Sequence, residues 1–228
     1  MFVDACNHIR ETIYGIAGLS QLGHHQVNAS SGTGFMIAPG ILATAAHLCH
    51  VNNEPANARH QLFEAIRSPD IGQSMETATF VAEDTQRDVA LLRVVAPRFN
   101  ACVTLETNRI PTGTPCGSLG FPLASVVFSQ TGRMFNVVER FQSASVSAFS
   151  TAVHAGNRQL LHYETDAFMY RGSSGCPGFL DDGRVFGMHI SSVTEQDAAQ
   201  NSQARVAIAI WVPAIDIEDF ARGNRVVL

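Results

Sequence analysis

The chain has 228 residues, of which 46% are hydrophobic and 15% charged, and a net charge of −5 at neutral pH. That length allows one large or two small hydrophobic cores, and that charge offers no basic footprint for nucleic acid. No stretch approaches the 18 consecutive apolar residues of a membrane-spanning helix, so neither nucleic acid nor membrane is expected as a partner.

The N-terminal stretch MFVDACNHIRETIYGIAG lacks a basic segment followed by an uninterrupted apolar run, so it does not read as a secretory signal, and the chain as given reads cytoplasmic. Short apolar runs bounded by Gly, Pro, Asn and Ser then recur: ETIYGIAGL, GTGFMIA, GILATAA, TATFVAE, VALLRVV, FNVVERFQ, SASVSAF, RVFGMHI and RVAIAIWV. Their length and punctuation predict β-strands in an all-β architecture. Two segments predict helix. AAHLCH, around His47, is one short turn; PAIDIEDFARG at 213–223 opens on proline, carries acids early and arginine late, and stops at glycine. The segments NNEPANARH and RSPDIGQ are expected to be mobile loops.

Five cysteines, Cys6, Cys49, Cys102, Cys116 and Cys176, form an odd set without a CxxC pair, which favours free thiols in a reducing compartment over a disulfide framework. All fifteen basic residues are arginine. Biased codon usage is the plain explanation, and protection from lysine-directed tagging the sharper one. His24, His25, His50 and His60 fall in expected loops, and neither their spacing nor acidic companions make a metal site, so no metal or cofactor is expected.

The string YRGSSGCPGF at 170–179 joins a hydroxyl to a tight, glycine-bearing turn. Alone, Gly-x-Ser-Gly is only a turn. Its weight comes from ATAAH ending at His47 and QRDVALLRV containing Asp88, which complete an order of His, Asp, Ser. A serine hydroxyl is a poor nucleophile unless a base such as His47 takes its proton and returns it to the leaving group. A carboxylate such as Asp88 holds that imidazole in one tautomer and stabilises its cation. The N–H groups of Gly172 and Ser174 are the natural donors to an oxyanion formed beside Ser174.

At these strings the chain resembles the chymotrypsin-like, or trypsin-like, serine peptidases, and more closely the intracellular and bacterial branch that includes the HtrA-type proteases. SGTGFMI, GILATAAH, GSLGFP, YETDAFMYRGSSG, VFGMHI and ARVAIAIWVP carry the likeness across residues 12 to 222. The resemblance implies two six-stranded antiparallel β-barrels, an N-terminal one over 20–111 with His47 and Asp88 and a C-terminal one over 112–212 with Ser174. Their join lies near Pro111 to Gly117, and a short C-terminal helix follows at 213–223. It also implies a serine endopeptidase acting on protein or peptide substrates through an acyl-enzyme. With sixteen residues after Val212, no PDZ domain is expected. Ser173 stands where zymogen-type members carry an aspartate, which implies no activation by N-terminal cleavage. Cys176 replaces the usual second glycine, a small residue expected to fit, with perturbation of the turn as the alternative.

The resemblance places the primary specificity (S1) pocket around Phe168, His189 and Ser192. Phe168 stands where trypsin-type enzymes carry an aspartate, so P1 arginine or lysine is disfavoured, and Asp166 is expected to bond within its own loop. Gly-x-His at His189 resembles the glutamyl endopeptidases and viral 3C-like proteases, where the histidine reads Glu or Gln. A small or apolar P1, with His189 as a structural residue, is the alternative. A partner-activated effector protease and a catalytically silent binding module on the same scaffold also fit.

Overall fold

The computed structural model describes residues 2–21, 27–68, 74–95, 97, 100–129, 132–153, 159–196 and 204–228. Strands β1 (Ile13–Gln21), β2 (Val27–Ala38), β3 (Ile41–Ala45), β4 (Leu62–Arg67), β5 (Met75–Asp84) and β6 (Val89–Val94) close into an antiparallel barrel in the order β1-β2-β3-β6-β5-β4. Successive side chains of a strand face opposite ways. Met36, Leu42 and Leu92 therefore fill this barrel, while their neighbours Phe35, Ala43 and Leu91 face a second cluster outside it. Both faces being buried, these strands read as continuous apolar runs rather than as alternation.

The second barrel follows the same logic. β7 (Pro115–Gly120) precedes a separate hairpin of β8 (Ser125–Ser129) and β9 (Gly132–Asn136). Then β10 (Arg140–Val153), β11 (Gln159–Thr165), β12 (Pro177–Phe179), β13 (Val185–Gln196) and β14 (Ala204–Pro213) close with β7 in the order β10-β11-β14-β13-β12-β7. Tyr163, Phe186 and Trp211 fill it, and the Trp211 indole N–H donates to Thr165 Oγ1 at 2.9 Å. The cluster outside both barrels unites Phe35, Leu91, Leu119, Phe121, Phe179, Met188 and Val212, so it is the seam between them.

Two helices seal that seam. α2 (Ala214–Gly223) follows Pro213, as expected for the C-terminal helix, and buries Ala214, Ile217 and Ala221. α1 (Val3–Arg10) was not anticipated. It buries Ala5 and Ile9, one turn apart, with the Phe2 ring against Phe141 and Phe179 at 5.6 and 6.0 Å. Its signals were present in the early Asp4, the late Arg10 and the i, i+4 spacing. AAHLCH holds a 3₁₀ turn, Ala46–Cys49.

The first barrel begins at Ile13, not at residue 20, and β7 opens the second at Pro115. β4, β7, β8, β11 and β12 lie outside the apolar runs from which strands were expected. β7 is rich in Gly and Ser because it lies under the Ser174 turn, where a Cβ on Gly120 would stand 2.1 Å from Cys176 Sγ. FNVVERFQ is broken by three residues between β9 and β10. NNEPANARH is tied down: Val51 N–H donates to Ala58 O, His60 N–H to Cys49 O, and His50 bridges Arg59. Most of RSPDIGQ lies outside the described residues.

Candidate active site

His47 and Asp88 both belong to the first barrel and meet at its surface. β3 leads into the 3₁₀ turn that carries His47, and β6, the partner of β3, begins immediately after Asp88. Asp88 Oδ2 lies 2.6 Å from His47 Nδ1, and Oδ1 accepts the His47 backbone N–H at 2.8 Å. The Asp88 carbonyl accepts the Ala46 N–H at 3.1 Å. Asp88 has φ 57°, a left-handed conformation that a non-glycine residue keeps only where its surroundings impose it. The side chains of His47 and Asp88 are 19% and 21% exposed, so the carboxylate reaches the cleft rather than being sealed away.

Ser174 lies in the second barrel at the junction of two tight turns. Ser173 N–H donates to Tyr170 O at 2.9 Å, and Cys176 N–H to Ser173 O at 3.0 Å. Gly172 (φ 89°) and Gly175 (φ 82°) occupy the third position of these turns, which requires a positive φ in this turn type. A Cβ on Gly175 would lie 1.9 Å from Thr33 O, so glycine is demanded there by space as well as by conformation. Gly175 N–H donates to His189 O at 2.8 Å. The N–H groups of Gly172 and Ser174 have no hydrogen-bond partner among the described residues.

Thr33, on β2, fastens this turn to the first barrel. Its N–H donates to Ser174 O at 2.9 Å, and its own carbonyl accepts the Thr44 hydroxyl at 2.6 Å. Its hydroxyl accepts Phe121 N–H at 3.0 Å and the Cys176 thiol at 3.3 Å, and points toward Gly172 O at 3.4 Å. Cys176 therefore does not disturb the turn: it is wholly buried, its Sγ lies against β7, and burial pushes its thiol up to about 12. Sequence reasoning missed Thr33 and Thr44, although both stand inside the quoted strings SGTGFMI and ATAAH.

Ser174, Gly172 and His47 line one cavity of about 510 Å³, together with Ser31, Leu48 and Leu123. A second cavity, of about 690 Å³, is lined by His47, Asp88, His162, Glu164, Ser191 and Val193. Of the residues expected at the S1 pocket, Phe168 is displaced. It is 57% exposed and packs edge-on against Tyr170 instead of flooring a pocket. Asp166 is exposed and accepts the Ser145 N–H at 2.6 Å, so its bond runs to β10 rather than within its own loop. His189 is 4% exposed, its ring edge-on to Trp211 at 5.2 Å, and Nε2 lies 3.3 Å from Ser192 Oγ. Its Nδ1 has no partner of good hydrogen-bond geometry among the described residues, the Ser173 and Ser191 backbones favour the charged ring, and burial outweighs them, holding the imidazole down at about 4.

Other histidines serve the fold. His50 has the acidic companion that sequence reasoning did not see: Nε2 lies 2.8 Å from Glu83, which also pairs with Arg59. His60 is buried rather than in an open loop, with Ser20 Oγ at 3.0 Å and Ser30 Oγ at 2.7 Å, and burial lowers it to about 4. His24 and His25 lie outside the described residues. Cys49 is buried and pushed up to about 12, which leaves no thiolate to act as a nucleophile beside His47. Among the described residues, no group of three or more His, Cys, Asp or Glu is placed to hold a metal ion.

A family model described as the trypsin-like peptidase domain matches residues 32–188. The mitochondrial serine proteases HTRA2 of Drosophila ananassae and Drosophila grimshawi are 28% and 29% identical to the chain over 169 residues, which is 74% of this chain and 35% of each relative. The chain thus spans about a third of the length of these relatives. The crystal structure of the Rv3671c protease from M. tuberculosis, active form, matches with a TM-score of 0.70 and 18% identity over 98% of this chain and 85% of that one, a likeness of fold.

Proposed function

The chain belongs to the trypsin-like peptidase domain family, and on that premise we propose that it is a serine endopeptidase whose nucleophile is Ser174. His47 takes the Ser174 proton as the hydroxyl attacks the scissile carbonyl, then delivers it to the leaving amine. Asp88, hydrogen-bonded to Nδ1, keeps Nε2 free for that transfer and stabilises the imidazolium between the two steps. The oxyanion is received by the N–H groups of Gly172 and Ser174. Water then attacks the acyl-enzyme with His47 again as base. The observation that carries this reading is a His47 that is paired with Asp88 and lines the same cavity as Ser174, a serine whose flanking N–H groups have no partner among the described residues.

The P1 preference follows from His189. A neutral, buried imidazole offers a hydrogen bond and no charge, which suits the amide of glutamine, or an uncharged glutamic acid, or serves as the wall of a small apolar pocket. Arginine and lysine are disfavoured because Phe168 stands where a trypsin-type pocket carries its aspartate and Asp166 is exposed and bonded to β10, and an unpaired buried cation costs several kcal/mol. Activation by a new N-terminus is also disfavoured, since at the position of the usual aspartate Ser173 accepts the Tyr170 N–H at 3.2 Å through its hydroxyl. The five free cysteines support a reducing, cytoplasmic setting.

The test is incubation of the purified chain and its Ser174→Ala variant with a proteome-derived peptide library, with cleavage sites read by mass spectrometry. Cuts that depend on Ser174 are expected, and their absence from the wild-type chain would refute the proposal. His189→Ala is expected to lose cleavage after Gln or Glu selectively. A uniform loss across all substrates returns His189 to a structural role.

A further inference from the structure

The second cavity, which His47 and Asp88 help to line, is built from both barrels. Along β11 the side chains alternate: Tyr163 and Thr165 turn to Phe186 and Trp211 in the barrel interior, while His162 and Glu164 line the cavity. Register carries that cavity face across the neighbouring strands, with Ser150 opposite His162, Ile210 opposite Glu164, and Ser191 opposite Ile210. The first barrel adds Thr85 and Gln86 beside His47 and Asp88.

The charge of this cavity is one-sided. Among the described residues no arginine lines it, and the chain has no lysine. Its two carboxylates are Asp88 and Glu164, and Asp88 is engaged by His47. Glu164 is half-buried and makes no hydrogen bond or ion pair among the described residues. A carboxylate in such a hollow is screened less than one on open surface, so a cation brought to it is attracted more strongly.

A substrate strand can reach it. β12 pairs with β13 only from Val185 to Met188, so beyond His189 β13 is paired with β14 alone among the described residues, and its other edge is open to an extended peptide. This stretch of β13 holds Ser192, expected at the P1 pocket, and also Ser191 and Val193, which line the cavity. His47 lines this cavity and the one that holds Ser174. A peptide cut at Ser174 therefore brings its neighbouring side chains to the cavity that Glu164 lines.

We propose that Glu164 is a specificity-determining residue: it pairs with the side chain of a lysine or arginine that lies outside P1 and within about four residues of the scissile bond, a reach of ~13 Å along an extended strand. The inference rests on the reading of Ser174 and His47 as nucleophile and base. It joins an uncharged P1 to a basic residue close by.

The experiment reads every position flanking the cuts that the wild-type chain makes in a proteome-derived peptide library. Peptides that differ only at the position richest in lysine and arginine, with lysine, norleucine or glutamate there, are then assayed for kcat/KM at low and high salt on the wild type, Glu164→Gln and Glu164→Lys. The wild type is expected to favour lysine over norleucine by about fivefold, the upper range for an ion pair that is not fully buried, with the ratio shrinking as salt rises. In Glu164→Gln the ratio falls toward one, and in Glu164→Lys the glutamate peptide becomes the better substrate than the lysine peptide. Cuts that depend on Ser174 but show no lysine or arginine enrichment outside P1 overturn the proposal and leave the peptidase reading standing. So does a lysine-to-norleucine ratio in Glu164→Gln equal to that of the wild type. If neither variant folds, a wild-type ratio that does not fall with salt overturns it. A wild-type chain that cuts nothing overturns both readings together.

Discussion

The two halves of the proposed site are held by different kinds of contact. His47 and Asp88 belong to one barrel and grip each other directly, ring to carboxylate and backbone to carboxylate, on adjoining strands. The Ser174 turn belongs to the other barrel and is held from across the seam, by the backbone and hydroxyl of Thr33, as well as from within by His189 O. The base is thus a local construction, whereas the nucleophile and its oxyanion donors depend on how the barrels dock. Substitutions at the seam should reach the oxyanion turn first and the base last.

The largest effect tests the nucleophile itself. Ser174→Ala should remove turnover by ~10⁶-fold in kcat, as triad knockouts do in a related mechanism, with the fold retained by circular dichroism. Residual activity within tenfold of wild type would sink the assignment. Asp88→Asn comes next, because it breaks the local half without disturbing the seam: a loss of ~10⁴ in kcat with little change in the unfolding midpoint is expected. A large fall in stability would show that Asp88 mainly supports the fold.

Thr33→Val probes the opposite half. It leaves the Phe121 N–H without its acceptor in a buried site and frees the Cys176 thiol, at a cost of ~1–3 kcal/mol in denaturant unfolding. Its activity loss should be larger for kcat than for KM, and Thr33→Ser should restore most of it. If Thr33→Val altered stability and left kcat alone, the contrast between the two halves would fail. The smallest effect is one of pH. His60 and His189 are buried neutral, lowered from 6.5 to about 4. Between those values the unfolded chain binds more protons than the folded one, so their contribution to stability is complete above pH 6.5 and is lost as pH falls toward 4. A thermal-unfolding midpoint that drops over this window, with a shallower slope in His60→Gln, is the expected result.

Much of this was legible in the chain because strong local chemistry leaves strong local signals. His47, Asp88 and Ser174 sit in strings whose order and residue types answer one reaction, and α2 carries its start and stop residues openly. Phe168 was misplaced because counting back from a serine locates a residue along the chain but not the direction of its side chain. His60 was read as a loop residue because its partners Ser20 and Ser30 come from distant strands. β7 and β12 escaped because close packing under the nucleophile demands small residues, which erase the apolar pattern that marks a strand.

By itself the sequence determined the all-β class and the identity of the proposed nucleophile, base and orienting carboxylate, since each depends on residue type and near neighbours. Only the tertiary structure decided that Thr33 clamps the Ser174 turn and that His189 is buried and neutral. Hydrogen bonds between residues about ninety to one hundred and forty positions apart, and the desolvation of a histidine, arise from how two barrels pack. No local pattern encodes them.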